Sequence, residues 1–327
     1  MITYGDYFTG GGMATAGFRD AGLIPIFGVE YDPHPKRLKT SMFIADTYEA
    51  NFGKHIIRKP VQDIDPADLP RVDWFHASPV CKNASVANVD GGEDEVDIVT
   101  AQATIDYFTH HSPKVVTIEN VYTYRHFQAY KNIIQALWSC GYGFREDHIN
   151  MADYGVPQTR NRLIVTAVLG EHMPPLLPPT HEPEPAGFFA LPRWVSWYEA
   201  IEDLIPTMKQ ESPQEFIIRR LDEFGKPCVD FAPHCGYRSD SPGRTYPPRL
   251  YNEPFFSVTA TQTADRAILN IAGVYYGIGE LELARFQSLP DWYKLSGKNS
   301  VDFTLIGNGV PSLFCEKLGR FVANRYL

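Results

Sequence analysis

Short apolar runs alternate with amphipathic stretches along the first 170 positions of the chain. The runs are rich in β-branched and aromatic residues, which predicts strands, and the stretches between them have the apolar spacing of helices. The predicted strands are Ile2–Phe8, Ile24–Glu30, Val72–Phe75, Lys114–Ile118 and Leu163–Leu169. The predicted helices between them are Ala14–Ala21, Lys36–Asn51, Val96–His110 and Ala129–Cys140. This alternation predicts an α/β fold with a doubly wound, mostly parallel sheet.

The pattern changes after residue 172. Six prolines fall within 173–185, which excludes a regular helix there and predicts a linker. Residues 186–245 are aromatic and polar without a clear period, and a helix is predicted again at Leu281–Gln287. We therefore expect a large domain over 1–172, a smaller target-recognition domain over 173–248, and a segment over 249–327 that returns to the large domain.

Two strand ends carry candidate chemistry. Phe8-Thr9-Gly10-Gly11-Gly12 links the first strand to the first helix, where glycines let a ligand approach backbone amides. Glu30 ends the next strand and could accept hydrogen bonds from ribose hydroxyls. The loop lacks the glycine spacing of the dinucleotide fingerprint, so on its own it is weak evidence for any one ligand.

A second pair of strand ends carries Cys81, in Ser78-Pro79-Val80-Cys81-Lys82, and Glu119, in Glu119-Asn120-Val121. In a parallel sheet both would emerge at the same carboxyl edge, where open α/β sheets bind ligands. A thiol and a carboxyl group that meet there could form a reaction centre. Taken alone, Cys81 would more often be a buried structural cysteine and Glu119 a surface acid.

Five segments, taken in order, resemble the DNA (cytosine-5)-methyltransferase family. They are Asp6 to Phe18, the Pro-Val-Cys segment, Glu119 to Val121, Gln158-Thr159-Arg160-Asn161-Arg162, and Gly307-Asn308-Gly309-Val310-Pro311. The resemblance covers roughly 1–170 and 246–327 and is weak or absent between them. It implies a Rossmann-like methyltransferase fold and transfer of a methyl group from S-adenosyl-L-methionine to C5 of cytosine in duplex DNA, with base flipping.

The resemblance also implies roles for particular residues. Cys81 is the expected nucleophile. Glu119 is expected to hold N3 and the exocyclic amine of the cytosine, a role that a raised pKa would suit. Arg162 is expected to donate to the O2 oxygen of the cytosine, with Arg160 in support. Lys82, Arg160 and Arg162 are candidates to favour the thiolate. The expected cofactor-binding residues are Phe8, Gly10, Gly11, Gly12, Glu30, Tyr31, Asp63, Ile64, Pro79, Asn308 and Val310. The expected DNA-binding residues are Lys82, Ser85, Arg219, Arg220, Arg238 and Arg244. Because Asn308 to Val310 completes the pocket, the final helix, about Ser312 to Leu327, should pack beside the first.

Several positions depart from the family pattern. Met13 stands where a glycine is usual, Val80 where a proline precedes the cysteine, and Lys82 where a glutamine follows it. The loop after Cys81 carries the acids Glu93, Asp94, Glu95 and Asp97, which is unexpected for a loop that contacts phosphates. Strand alternation at Gln158–Arg162 would also fit an ordinary charged sheet edge.

Charge and composition limit the remaining possibilities. The net charge is −9, and the eight Lys/Arg and twelve Asp/Glu of 170–249 leave that region acidic too, which counts against a nonspecific polyanion binder. Five dispersed cysteines favour a reducing cytoplasm over a disulfide framework. Cys228 and His234-Cys235 are too few for a structural zinc site, so no metal is expected. We expect a cytoplasmic, prokaryotic or phage-encoded restriction-modification enzyme that acts as a monomer without membrane contact.

Three alternatives stay open. The same chemistry could act on RNA such as tRNA; the chain could be a non-catalytic, S-adenosylmethionine-binding DNA recognition module; or it could be a nicotinamide oxidoreductase. The middle region favours DNA over tRNA, and the joint presence of Cys81, Glu119, Arg160 and Arg162 argues against a non-catalytic module. The oxidoreductase rests on the glycine loop alone.

Overall fold

The computed structural model describes residues 1–81, 92–212, 228–231, 248–260 and 267–327. Its main sheet has seven strands in the order β3-β2-β1-β4-β5-β7-β6. They are β1 (Thr3–Tyr7), β2 (Ile24–Val29), β3 (Ile56–Ile57), β4 (Trp74–Ala77), β5 (Val115–Asn120), β6 (Tyr142–Asn150) and β7 (Asn161–Leu169). The first five are mutually parallel, whereas β7 runs antiparallel to both of its neighbours. The expected doubly wound, mostly parallel α/β sheet is thus confirmed.

Helices cover both faces of this sheet. The described helices are α1 (Met13–Asp20), α2 (Leu38–Phe52), α3 (Glu95–His111), α4 (Gln128–Ser139), α5 (Trp197–Ile201), α6 (Glu280–Phe286), α7 (Asn299–Asn308) and α8 (Ser312–Tyr326). Of these, α5, α6 and α7 pack in a second core instead of on this sheet. Successive strand residues enter different cores because side chains alternate across a strand. Trp74 packs with α1 and α8, whereas Phe75 packs with α3 and α4. Both faces being buried explains why the central strands read as continuous apolar runs.

The sequence pattern missed β6, the outermost strand. Its sequence, YGFREDHIN, is polar along most of its length and exposed at every second position from Glu146 to His148. An edge strand with one solvated side lacks the apolar run that identified the inner strands. Gln158, Thr159 and Arg160 precede β7 rather than belong to a strand, which corrects the expected strand alternation.

A second, smaller core lies in the C-terminal half. Its sheet has the order β11-β10-β8-β9, built from β8 (Cys228–Phe231), β9 (Arg249–Leu250), β10 (Ala267–Ile271) and β11 (Val274–Gly277). This sheet joins strands from both sides of residue 248, and its core extends to Met13 and Ile44 of the large domain. The linker at 173–185 contains no helix or named strand. The division into 1–172, 173–248 and 249–327 stays a prediction.

The final helix packs beside the first, as expected. The hydroxyl of Ser312 donates to the carbonyl of Met13 at 2.9 Å, and the two helices approach closely at Gly17 and Gly319. A Cβ built on Gly17 would lie 2.0 Å from the Ser312 carbonyl oxygen. The end of the chain is therefore part of the core that supports the first strands.

Gly17→Ala should lower the free energy of unfolding by about 2 kcal/mol or more, since the methyl group meets backbone atoms that cannot rotate away. Gly92→Ala is the matched control, because a Cβ there meets nothing within 4 Å. Denaturant unfolding of both variants measures the difference. Equal stabilities would show that the α1–α8 contact is not the close approach described here.

Candidate active site

The central strands bring the candidate residues to one edge of the sheet. Ala77 of β4 pairs in parallel with Ile118 of β5, so both strands end at the same level. Cys81 follows four residues after β4, and Glu119 is the penultimate residue of β5. The expectation that the thiol and the carboxyl group share one carboxyl edge is met.

A cleft of about 870 Å³ opens at this edge. Its volume lies in the range typical of ligand sites, roughly 300–1,000 Å³. Segments from both ends of the chain line it, and all four expected catalytic residues are among them. The expected cofactor residues that line it are Phe8, Gly10, Gly11, Glu30, Tyr31, Pro79, Asn308 and Val310. Gly12, Asp63 and Ile64 are not among the lining residues, although Val61 and Gln62 are.

The glycine loop forms one wall. Gly10 has φ +55° and a Cβ there would meet nothing within 4 Å, so the cleft reaches its backbone. The backbone carbonyl of Gly11 accepts a hydrogen bond of 2.6 Å from the Tyr293 hydroxyl, which ties the loop to the C-terminal core. Gly12 lies behind the wall with φ +83°, where a Cβ would strike the ring of Phe52. Gly12 therefore shapes the loop instead of lining the cleft.

Glu30 presents a half-buried carboxylate to the same space. One oxygen accepts the Gly10 amide at 3.2 Å and the other accepts the Ser41 hydroxyl at 2.8 Å. Burial raises the pKa of Glu30 to about 7, and these two donors partly oppose the shift. Neutral donors leave lone pairs available, so the carboxylate can accept ribose hydroxyls, as the sequence analysis expected.

Asp6 is a lining residue that the sequence analysis did not single out. It sits at the end of β1, is 1% exposed, and accepts the Thr15 hydroxyl at 3.3 Å. Burial raises the pKa of Asp6 to about 7. Its place two residues before Phe8, at the start of the segment that resembles the family, was the only sequence signal for it. Together with Glu30 it makes this end of the cleft suited to a cationic ligand.

Glu119 and Arg162 form an ion pair deeper in the cleft. The Arg162 Nε lies 3.0 Å from the Glu119 Oε1, with side chains 15% and 8% exposed. Arg162 also donates to the Asn161 carbonyl at 2.7 Å. The pair offers a base both a carboxylate and a guanidinium from neighbouring strands.

Cys81 lies half-buried beside this pair. Burial raises the pKa of the Cys81 thiol to about 11, the charge of Glu119 adds to the rise, and Arg162 opposes it. The described surroundings therefore favour the thiol over the thiolate on balance, although Arg162 lowers the pKa of Cys81 as expected of a neighbouring cation. The contribution of Lys82 lies outside the described residues.

Arg160 is buried and faces backbone. Its guanidinium donates to the carbonyls of Val258 at 2.7 Å and Gly309 at 3.0 Å, while its Nε has no hydrogen-bond partner among the described residues. Gln158 similarly donates to the Phe286 carbonyl at 2.8 Å. These contacts join the start of β7 to the C-terminal segment, so neither side chain points outward as a charged edge would.

The turn before Cys81 is held without a proline at position 80. The amide of Asn120 donates to the Pro79 carbonyl at 3.0 Å, and its oxygen accepts the Val121 amide at 2.8 Å. Asn120 therefore shapes the end of β5 and the turn after β4. Met13, the other departure, is buried with its sulfur against Gly309 and lines the cleft.

Most of the unexpected acids cap helices. Glu93 accepts the amides of Gln128 and Ala129 at the start of α4, at 3.0 and 2.6 Å. Asp94 and Asp97 form a reciprocal capping box at the start of α3. These three carboxylates stabilise helix N-termini, and only Glu95 is left as an exposed acid of the first turn.

The expected DNA-binding residues Lys82, Ser85, Arg219, Arg220, Arg238 and Arg244 lie outside the described residues, as do His234 and Cys235. Within the described ranges, no three His, Cys, Asp or Glu side chains are grouped so that they could hold a metal ion. The described helices include none long and apolar enough to span a membrane.

Comparison with known proteins identifies the family. The model of the C-5 cytosine-specific DNA methylase family matches residues 2–223, more than half of the chain. The chain belongs to this family. The Type II methyltransferase M.MthTI of Methanothermobacter thermautotrophicus is 24% identical, with 96% of this chain and 94% of that protein covered. The Type II methyltransferase M.AplI of Arthrospira platensis is 30% identical over 76% of this chain and 68% of its own length.

Solved structures of methyltransferases share the fold. The S. pombe Dnmt2 methyltransferase superposes with a TM-score of 0.61 at 15% identity, with 99% of this chain and 98% of that one covered. The Entamoeba histolytica methyltransferase EhMeth gives a TM-score of 0.61 at 13% identity over 99% of both chains. The chain is thus a cytosine C5 methyltransferase by family, and methyltransferases of this fold in general take their methyl group from S-adenosylmethionine.

Proposed function

We propose that this protein methylates C5 of cytosine in duplex DNA through a covalent adduct of Cys81. The observation that carries the proposal is one continuous cleft that holds Cys81, the Glu119–Arg162 ion pair and the Glu30 carboxylate. The cleft joins a place for a flat polar base to a place for a ribose-containing cation. Family membership supports cytosine as the base and C5 as the methylated carbon.

The reaction needs a nucleophile because C5 of cytosine is itself unreactive. The Cys81 sulfur forms a bond to C6, and the electron pair of the C5–C6 double bond becomes available at C5 as an enamine. S-adenosylmethionine supplies an electrophilic methyl group held on a positively charged sulfur. C5 takes the methyl group as the bond between that group and the donor sulfur breaks, which would leave a neutral thioether. Loss of the C5 proton to solvent then returns the electron pair to the C5–C6 bond and expels the Cys81 thiolate.

Glu119 and Arg162 compensate for the charge that develops on the ring. Glu119 faces N3 and the exocyclic amine and supplies or shares a proton there, while Arg162 donates to O2. Their ion pair must loosen when the base enters, because both groups then bind the base. Arg160 and Asn120 act as positioning residues: they hold Gly309 and Pro79, on either side of the cleft.

Entry of the base also changes the state of Cys81. The charge of Glu119 is one cause of the raised pKa of the thiol, so a hydrogen bond from the exocyclic amine of the base that offsets this charge favours the thiolate. At pH 7 a pKa of about 11 leaves only about one thiol in 10⁴ ionised. The enzyme is therefore expected to be weakly reactive until a base is bound.

The donor set of the cleft fits S-adenosylmethionine. Glu30 would hold the ribose hydroxyls, the Gly10 and Gly11 backbone would border the methionine portion, and Asp6 would face its positive charge. Asn308 and Val310 close the pocket from the C-terminal side. Tyr31 and Pro79 line the same space, and Asp63 and Ile64 stay predictions for the adenine end.

The cofactor should bind more tightly as pH rises through about 7. Glu30 and Asp6, whose pKa values burial raises to about 7, are protonated below this pH and become better acceptors and counter-charges above it. Calorimetry from pH 5.5 to 8.5 should show affinity for S-adenosylmethionine increasing up to about pH 7.5 and then levelling. Glu30→Gln should weaken binding of S-adenosylmethionine and reduce the increase of its affinity with pH. Glu184→Gln, at an exposed site, should change neither. A flat wild-type profile would contradict the role of these two acids.

Methylation of DNA also requires that the base leave the stack, since C6 is covered in a duplex. The experiment that tests the proposal is transfer of a labelled methyl group from S-adenosylmethionine to duplex DNA, followed by nucleoside analysis. Label in 5-methylcytosine supports the proposal. Label found only in a tRNA offered in parallel, or in neither polymer, would contradict it.

A further inference from the structure

A stacked aromatic and cationic cluster lies beside the cleft. Tyr122 comes three residues after Glu119, in the short 3₁₀ helix Tyr122–His126 that follows β5. Its ring stacks on the imidazole of His148 in β6, with centroids 3.8 Å apart and planes at 19°. The Arg125 guanidinium carbon lies 5.0 Å from the same ring centroid, and Arg125 also donates to the Tyr122 hydroxyl.

The cluster is close to the proposed reaction centre but outside it. His148 pairs with Leu163, the residue next to Arg162, so the stack is one strand away from the catalytic guanidinium. None of the three residues lines the cleft, whereas Arg162 and Glu119 do. The cluster therefore borders the carboxyl edge at which a polymer bound to the cleft must pass.

Contacts with Tyr122 hold the Arg125 side chain, but no carboxylate of the described residues neutralises its charge. It is exposed and has no carboxylate within 4 Å among the described residues. Glu146 lines the same shallow hollow, yet it forms no ion pair with Arg125. Of the described arginines that line the cleft, Arg162 pairs with Glu119, Arg37 pairs with Asp32, and Arg160 is buried against backbone carbonyls. An unpaired guanidinium that rests on a ring keeps N–H groups free for an anion.

We propose that Arg125, supported by Tyr122 and His148, binds a backbone phosphate of the substrate nucleic acid next to the flipped base. This inference rests on the proposed function and names a contact of the same substrate. A phosphate suits the site because the guanidinium fork makes paired, charge-assisted hydrogen bonds to two oxygens. The aromatic stack fixes the guanidinium in advance, which lowers the entropy lost on binding.

The test compares Arg125→Gln and Arg125→Lys with the matched control Arg325→Gln. Arg325 also lies over an aromatic ring, 3.7 Å from the Phe321 centroid, near the C-terminal end of α8. Duplex binding is measured by fluorescence anisotropy across a salt series, and steady-state methylation gives kcat and KM for DNA. The substitutions leave the catalytic cleft intact.

Arg125→Gln should raise Kd and KM for DNA by about 3- to 10-fold, with kcat unchanged, and reduce the salt slope by about one. Arg125→Lys should keep the slope and lose part of the affinity, since the charge remains and the planar fork does not. Arg325→Gln should match the wild type. If wild-type protein binds and methylates DNA while Arg125→Gln matches Arg325→Gln, the phosphate contact is wrong and the function stands. If wild-type protein binds neither duplex DNA nor RNA, both fail.

Discussion

Replacing Cys81 by serine is expected to reduce methyl transfer by at least about 10⁴-fold, which corresponds to about 5.4 kcal/mol of lost transition-state stabilisation. A hydroxyl ionises far less readily than a thiol, and burial at this position disfavours the anion further. Without addition at C6, C5 has no electron pair to accept the methyl group. The measurement is the initial rate of tritium transfer from labelled S-adenosylmethionine to duplex DNA.

The control for Cys81→Ser is cofactor affinity. The thiol acts on the base, so calorimetry should give nearly the same Kd for S-adenosylmethionine as the wild type. Cys140→Ser is the matched variant, because this half-buried cysteine is also free and lies at the end of α4, away from the cleft. A Cys81→Ser protein that retains its rate would refute the covalent route.

Glu119→Gln is expected to slow methyl transfer by about 10²- to 10⁴-fold, the range typical of a lost general acid. The amide keeps the shape and one acceptor oxygen but cannot give a proton to N3. The effect should fall on kcat, with a smaller effect on Kd for DNA. Arg162 loses its partner at 3.0 Å in this variant, so its guanidinium stays available to the O2 oxygen of the base. The contribution of Arg162 to DNA affinity should therefore persist or increase.

The same variant has a second, opposite signature. The charge of Glu119 raises the pKa of Cys81 and that of Arg162 lowers it. Removing the carboxylate should therefore make the thiol of the free enzyme more acidic while the methylation rate falls. Iodoacetamide labelling at pH 8, located by mass spectrometry at Cys81, should be faster in Glu119→Gln than in wild type. Slower labelling would show that the two groups are not coupled as described.

The sequence predicted the sheet because its inner strands are buried on both faces. Such strands read as apolar runs between helices, and the parallel register then places residues such as Cys81 and Glu119 at one edge. The polar edge strand β6 escaped the same reasoning, as did α7, whose apolar and polar residues show almost no helical segregation. A hydrophobic pattern along the sequence shows which side of an element is buried, and neither of these two elements has a clear pattern.

The site was predicted from sequence motifs, so contacts between residues far apart in the chain were not predicted. Asp6 and the Glu119–Arg162 pair depend on distances between strands, which spacing along the chain does not give. Arg160 was expected to support Arg162 at the base, but its hydrogen-bond partners are carbonyls about 100 and 150 positions away. The capping role of Glu93 likewise depends on where α4 begins. Long-range partners are the part of the site that local sequence could not reveal.

The covalent adduct is tested most directly with duplex DNA that carries 5-fluorocytosine at the target position. Fluorine at C5 cannot leave as a proton does, so the reaction should stop after methyl transfer with Cys81 still bonded to C6. Incubation with S-adenosylmethionine should give a denaturation-resistant complex whose peptide mass places one methylated nucleotide on Cys81, and Cys81→Ser should give none. Methylation of ordinary cytosine without any trapped complex on the fluorinated duplex, or trapping that persists in Cys81→Ser, would contradict the mechanism.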